Sequence, residues 1–533
     1  MDDSSTPRNM VNGDYNITTN DASLSLANLS WTSSTKTNGK IAPAAIHSLL
    51  PPEIMAEIFM TVCDYIPQRW PPRVTSLLVL GKVCGTWREI CWPIPSLWEV
   101  INLLVVPARL DVQNELLEEW ISRAGSRNLY IYLNEEEPHK GWKEAPPHKI
   151  MHTIASISHK WETADIFLPE DNYADLIPIK DNLPVLKSLS IRPSKHECID
   201  IDLRIFETCP LLQSLDIVQY YLENLFVPWK QLTRLYADGL LIEECFHVFR
   251  ECQNLITCHL DKIVSDEDIV MLPVLIPHRS IESFDVTSSE VQEIALVFGN
   301  VTLPGLRKVQ ITCSDSSWTV DTITPFLASF FSRSSCNLQS LISNCIFHLE
   351  MDLIHILDAL PSLIHLNVEE RDFHFSVEFL DLLHHADFHE LFLPNLQALT
   401  LCGMFSFNIY DMHRMLQGRP KSDKITTLKS FSVIGIGSFN MMVCELSKDL
   451  ERKILDLVED GLHFSISMPG SPETLSHLPL WLTMQFSWRI TVYKKNTPSW
   501  KSLFRGKVLQ HLYDWAQVTD ALRFETRSQY QML

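Results

Sequence analysis

The sequence predicts an α+β protein overall, in which a small all-helical module is followed by an irregular α/β solenoid of short repeats. Two patterns carry that reading. Between residues 43 and 101, apolar side chains recur at three- and four-residue steps, the spacing of a helix face, punctuated by prolines. Between residues 102 and 440, the string Leu-x-x-Leu-x-Leu, with apolar substitutes, recurs every 20 to 33 residues, the period of units that stack on one another. The chain has 533 residues, more than one compact core holds.

The flanks read differently. Residues 1–42 are rich in Ser, Thr, Asn and Asp and poor in large apolar side chains, so they cannot offset chain entropy and are expected to form a disordered tail. Residues 441–533 are expected to hold a C-terminal cap and an aromatic-rich region. In the cap, DLERKILDLVEDGLHFSISM reads as an amphipathic helix, a turn at Gly461 and a strand. The region beyond carries Trp481, Trp488, Trp500 and Trp515.

Bulk charge narrows the partners. Forty-four Lys and Arg face 65 Asp and Glu, a formal charge of −21. Nucleic acid is a poor partner for such a chain, because binding it draws on basic patches, and an anionic membrane is disfavoured for the same reason. No apolar run approaches the roughly 18 residues of a membrane helix. The 13 cysteines are scattered without a CxxC pair, as buried thiols of a reducing compartment would be. The expected location is cytoplasmic or nuclear.

The helical module can be justified element by element. In LLPPEIMAEIFMTVCDYI, Pro51 and Pro52 suit a first helical turn, where a missing N–H costs nothing, and Glu53 sits at the positive helix end. Ile54, Ile58 and Val62 then recur at a four-residue step beside Met55 and Phe59. DYIPQRWPPR is a loop. TSLLVLGKVCGTWREICW reads as a second helix, capped by Thr75 or Ser76, with Leu77, Leu80, Val83, Cys84 and Trp87 on one face. Gly81 within it costs roughly 1 kcal/mol against Ala unless close packing requires it. Pro93 and Pro95 end the pattern, and SLWEVINLLV runs from a helical turn into a strand.

The Leu-Pro-Pro-Glu-Ile opening, the Val-Cys-x-x-Trp-Arg centre and the Pro-x-Leu-Trp close resemble, in that order, the F-box, particularly the version frequent in mushroom-forming fungi. The resemblance implies a non-catalytic substrate-recognition subunit of a Skp–cullin–F-box E3 ubiquitin ligase. It implies that a Skp-type adaptor, and through it a cullin–RING ligase, docks on Leu50, Pro51, Ile54, Ile58, Val83, Trp87 and Leu97. Each of these side chains, Trp87 above all, has packing inside the module as its alternative role.

The repeats run as LPVLKSLSI (Leu186, Leu189, Ile191), CPLLQSLDI (Leu212, Leu215, Ile217), WKQLTRLYA (Leu232, Leu235) and QNLITCHL (Leu255, Cys258, Leu260). Later copies centre on Phe284, Val309, Leu366, Leu399 and Phe431, with a degraded one at Leu338 and Leu341. Pro184, Pro210, Pro304, Pro361 and Pro394 precede several of them, stopping a helix before a strand. LIEECFHVFREC and DLIHILDAL are helices between copies, so each unit is expected to be a strand followed by a helix, stacked around a parallel sheet. The region resembles the leucine-rich repeats often found after an F-box, without their consistent Asn or Cys ladder. Substrate contacts are expected on concave strand residues that alternate with the leucines: Gln213, Asp216, Arg234 and Tyr236.

No catalytic constellation stands out. His148 and His152 in HKIMH lie one helical turn apart but lack the Glu of HExxH, and GIGS at residues 435–438 is neither a nucleophile elbow nor a phosphate loop. Cys245, Cys252, Cys258 and His259 fit no zinc spacing. The expectation is no enzyme, no metal and no cofactor. The alternative to a ligase receptor is a leucine-rich-repeat interaction scaffold working outside any ligase.

Overall fold

The computed structural model describes residues 50–62, 75–135, 147–168, 170–193, 203–265, 275–314, 323–384, 392–419, 426–435, 448–467, 483–485 and 489–492. The expected disordered tail and Trp481, Trp488, Trp500 and Trp515 lie outside these residues. The chain divides into two compact units, Met1–Met55 and Ala56–Leu533. In the first, residues 50–55 open helix α1 (Pro52–Val62), and the Pro51 carbonyl accepts the N–H groups of Ile54 and Met55, both at 3.1 Å. The prolines therefore sit at the helix start, where they remove no bond.

The second unit opens with a helical segment. The expected second helix is divided into α2 (Thr75–Val83) and α3 (Gly85–Cys91) at Cys84, whose backbone is extended. Cys84 becomes an N-cap whose sulfur accepts the Trp87 N–H at 3.5 Å, and Gly85 next to it is a weak helix former. Gly81 has its reason: a Cβ there would lie 3.3 Å from Trp92 Nε1, and its carbonyl accepts Arg88 Nε–H at 3.0 Å. Arg123 of α4 (Leu110–Ala124) stacks over Trp92 and Trp98, 4.5 and 4.9 Å from the ring centroids. Trp120 meets Trp98 edge-on at 4.8 Å and donates its indole N–H to the Trp98 carbonyl at 2.8 Å, joining the helices to the sheet.

The remainder of the second unit is α/β. A 16-stranded sheet runs through β1 (Val100–Val105), β2 (Leu129–Glu135), β3 (Trp161–Leu168), β4 (Ser188–Pro193), β5 (Ser214–Val218), β6 (Arg234–Asp238) and β7 (Thr257–Ile263). A two-strand accessory pairs β8 (Ile276–Pro277) with β10 (Val301–Thr302). The main sheet resumes with β9 (Ser283–Ser288), β11 (Lys308–Cys313), β12 (Ser340–Asn344), β13 (His365–Phe375), β14 (Ala398–Phe405), β15 (Ser430–Gly435) and β16 (His463–Ser467). Strand order is chain order and every pairing to β16 is parallel, the topology of a solenoid. Among the described residues only β17 (Thr483–Gln485) and β18 (Arg489–Val492) add antiparallel, on the far side of β16.

The recurring leucines fall into register. Leu189, Leu215, Leu235, Cys258, Phe284, Val309, Leu341, Leu366, Leu399 and Phe431 are cross-strand partners in one continuous row, which Phe464 extends. All are buried. The expected cap strand is thus one more unit of the sheet, preceded by α12 (Lys448–Glu459) and a turn at Gly461, whose φ of +108° glycine permits. Pro184, Pro210, Pro304, Pro361 and Pro394 all stand in turns, each four residues ahead of its strand.

The returns between strands are not all helices. From α6 (Ile242–Glu251), just ahead of β7, onward they include α7 (Val291–Asn300), α8 (Thr324–Ser334), α9 (Glu350–Asp358), α10 (Val377–His384) and α11 (Ile409–Gly418). After β3, β4 and β5 the described residues of the returns form 3₁₀ turns, Glu170–Ile179, Arg204–Phe206, Leu222–Asn224 and Trp229–Gln231. From Ser214 to Arg234 is only 20 residues, too few for a strand, two turns and a full α-helix. The core between sheet and helices holds an edge-to-face chain of rings. Phe249, Phe284, Phe298 and Phe330 succeed one another at 5.8, 5.8 and 4.8 Å.

Where other repeat sheets use an Asn ladder, this one uses carboxylates. Glu244 of α6 accepts the N–H of Leu222 at 2.7 Å and of Leu241 at 3.0 Å, and Glu293 of α7 accepts that of Ser265 at 2.8 Å. Glu350 of α9 accepts Ser376 N–H at 2.8 Å, and Glu370 of β13 accepts Ile346 N–H at 2.8 Å. Each acid joins its own unit to a neighbouring unit's loop, satisfying amides that are buried or partly buried there.

Both the ring chain and the buried acids can be tested. Phe298→Ala removes the middle of the ring chain and is expected to cost about 3–5 kcal/mol, read as a lower urea midpoint. Burial pushes the Glu370 carboxyl up to about 8, against the backbone amides that lower it. The folded state therefore keeps a proton that the unfolded chain has lost, so stability falls as pH rises from about 4.5 to about 8. Glu370→Gln is expected to flatten that fall, and parallel melting midpoints across the window for both proteins would refute it.

Candidate interaction surfaces

The residues read as an adaptor face do not share one environment. In the first unit Pro51 and Ile54 are exposed and Leu50 is half-buried. In the second, Ile58 and Val83 are exposed at 40% and 55%. Trp87 is half-buried with its ring centroid 5.0 Å from that of buried Phe59, so much of it packs within the unit. Leu97 is 8% exposed and belongs to the core. It lies in the 3₁₀ turn Pro95–Trp98, where it and Trp98 are both buried. Leu78, outside the expected set, is exposed at 49%. The four-residue spacing of α1 could not show this, because it identifies a face without telling which of its neighbours covers it.

On the sheet, residues between the second and third apolar positions of each unit point away from the helices. Ser190, Asp216, Tyr236, His259 and Asp285 are successive cross-strand partners, one row across β4, β5, β6, β7 and β9. Asp216 and Tyr236, both singled out from sequence, are therefore brought side by side. Gln213 and Arg234 are exposed at the strand starts. The Gln213 carbonyl accepts the N–H groups of Thr233 and Arg234 at 2.8 and 3.0 Å, so its backbone serves the register.

His259, Asp238, Asp261 and Asp285 complete the row and the one beside it. Tyr236 and His259 stack at 4.6 Å with planes 19° apart. The Tyr236 hydroxyl donates to Asp261 Oδ2 at 3.3 Å, and His259 Nδ1 lies 3.3 Å from Asp285 Oδ2. Lys262 reaches Asp238 Oδ2 at 2.8 Å. It sits at a register break between β7 and β9 with φ of +46°, a bulge that re-aims the side chain. Arg192 pairs with Asp165. The sequence signal for the whole set was present: Leu-Asp-Ile, Leu-Tyr-Ala, Cys-His-Leu and Phe-Asp-Val occupy one slot of the repeat.

Burial shapes the electrostatics. Asp216 is pushed up to about 6, chiefly by desolvation, with Asp165 and Asp238 adding repulsion that Arg192 partly offsets. Desolvation and then the charges of Asp261, Asp238 and Asp216 raise the Tyr236 phenol, keeping it a neutral donor.

Other candidates disperse. Cys245, Cys252 and Cys258 are buried on the helix side, where desolvation pushes the Cys252 thiol up to about 12. His259 points to the opposite face, and among the described residues no group of His, Cys, Asp and Glu could hold a metal ion. His148, on helix α5 (His148–Ser156), has Nδ1 2.6 Å from Asp175 Oδ2 at the surface. Among the described residues no helix is long and apolar enough to cross a membrane.

No family model matches the chain, and no curated protein matches it. Among solved structures it is similar to a structural-genomics target from Bacteroides fragilis, with 12% identity over 67% of this chain and 81% of that one, at a TM-score of 0.24. It is also similar to the Rad7 and Elc1 complex of yeast, with 13% identity over 77% of this chain and all of that one (100%), at a TM-score of 0.28. TM-scores this low do not define a common fold.

A buried acid held above its ordinary range costs the fold stability once ionised. For Asp216 the folded state retains a proton between pH 3.8 and about 6, so stability falls as pH rises through that window. Asp216→Asn is expected to raise the stability of the protein at pH 7 by roughly 2–3 kcal/mol, measured as a higher unfolding midpoint. A lowered midpoint would show that the carboxylate holds the sheet together instead.

Proposed function

We propose that the chain is a non-catalytic substrate receptor of a Skp–cullin–F-box E3 ubiquitin ligase, a member of the F-box group with leucine-rich repeats. Its helical segment docks a Skp-type adaptor, and its sheet presents a protein substrate to ubiquitin delivered by a cullin–RING partner. The observation that carries this reading is the order of parts. A helical segment bearing Leu-Pro-Pro-Glu-Ile, Val-Cys-x-x-Trp-Arg and Pro-x-Leu-Trp is followed immediately by a strand-ordered repeat sheet. Two further facts support it. Ile58, Leu78 and Val83 are apolar side chains left in water on a segment where Phe59, Leu77, Leu80, Leu97 and Trp98 are buried. Helix-face burial around a few apolar anchors is how such docking gains its energy.

The polar row of the sheet supports the receptor half. Strand side chains at one slot of successive units form a surface whose chemistry can change unit by unit without disturbing the leucine row behind it.

Co-expression with a Skp-type adaptor tests the reading. The wild-type chain is expected to co-purify with adaptor and cullin, while Ile58→Asp combined with Val83→Asp lowers adaptor affinity by about 30-fold or more, roughly 2 kcal/mol. Both substitutions are at exposed sites, so the unfolding midpoint is expected to stay within a degree or two. Adaptor binding that ignores these charges would sink the docking assignment. Adaptor capture without cullin would favour an interaction scaffold working outside a ligase.

A further inference from the structure

The polar row on β5, β6, β7 and β9 has features that a merely solvated surface does not need. Asp238 is 7% exposed, and its Oδ1 has no hydrogen-bond partner although Oδ2 holds Lys262. Asp216 Oδ1 and Asp285 Oδ1 are likewise buried without partners. Buried carboxylate oxygens are ordinarily satisfied, and each one left over costs free energy. Three such atoms on one face of the span from β5 to β9, each shielded from solvent, leave negative charge there that few donors balance. Between Asp216 and Asp285 in the row lies the stacked Tyr236–His259 pair, two π faces flanked on either side by a carboxylate.

We propose that this face binds an extended, arginine-bearing segment of a protein partner, its guanidinium groups pairing with Asp216 and Asp285 and stacking on Tyr236 and His259. Guanidinium suits the site on two counts. It is planar, so it stacks on aromatic faces, and it gives up hydration more readily than an ammonium, so it enters a partly buried site. It also supplies several donors in a fixed fork, suited to the parts of the Asp216 and Asp285 carboxylates that remain partly exposed. The dimensions agree. Three strand steps separate β5 from β9, about 14 Å at 4.8 Å per step, and an extended chain covers that distance in about four residues. A segment crossing the strands with arginines at i and i+4 therefore reaches both carboxylates, and residue i+2 lies over the ring pair. The charge of −21 on the chain favours encounter with a basic partner.

The inference rests on the reading of this face as the substrate surface, but its test does not need the ligase. A fluorescein-labelled heptapeptide of alternating Gly and Arg, titrated with the full chain at 0.15 M salt and read by anisotropy, is the probe. Asp216→Asn with Asp285→Asn is expected to weaken binding at least tenfold, and Tyr236→Leu by about threefold to fivefold. The remote pair Asp111→Asn with Glu115→Gln, which removes the same charge from α4, is expected to change it less than twofold. Equal loss in the two double variants would reduce the effect to bulk charge and overturn the site, as would no binding by the wild-type chain. Adaptor co-purification from the same preparations separates the two readings. Peptide failure with adaptor retained sinks this inference alone, and adaptor failure with peptide retained sinks the ligase assignment alone.

Discussion

One backbone interaction sets the rest of the structure. The carbonyl of the residue just ahead of a strand accepts two N–H groups from the next unit, those of the corresponding residue and of its successor. Lys187, Gln213, Thr233, Ile256, Glu282, Arg307, Gln339, Ile364 and Gln397 all do so, at 2.7 to 3.1 Å. A one-residue slip would break both bonds and turn every leucine outward, so the register is fixed at the point where each strand begins. The leucine row, the ring chain behind it and the polar row in front are consequences of that alignment. The acids at the helix starts add a second tie at the other end of the unit, where strand gives way to loop.

That division explains what the sequence disclosed. Leu189, Leu215, Phe284 and Leu399 could be read as strand residues because burial on one face imposes a fixed spacing. The five prolines could be read as stops because they close the helical route four residues before each strand. The returns were harder, since length decides between a 3₁₀ turn and an α-helix, and no periodicity separates the two in ten residues or fewer. Carboxylates replacing the Asn ladder were not legible either, because an acid at a helix start reads as a favourable charge whether or not a neighbouring loop donates to it. Of the candidate site, Asp216 and Tyr236 could be found from strand alternation. His259 stands in sequence beside cysteines that face the other way, and Leu97 packs in the core, the alternative role its position in the module allows.

The two sides of the sheet answer to different demands. Behind it, substitution is limited by volume, as the rings of Phe249, Phe284, Phe298 and Phe330 pack edge to face within the core. In front, the fold tolerates buried oxygens without donors and an aspartate whose carboxyl burial pushes up to about 6. A natural chain close to its stability threshold retains such groups where function needs them.

The doubled acceptors also define how the molecule carries load. Because the joints follow one another along the stacking direction, a pull along it loads them in series, and the sheet opens like a zip, unit by unit. A pull along the strands loads many joints together and must shear them in parallel. A protein built in this way is compliant in one direction and stiff in the other, so an unfolding machine that grips one end has a low-force path through the whole stack.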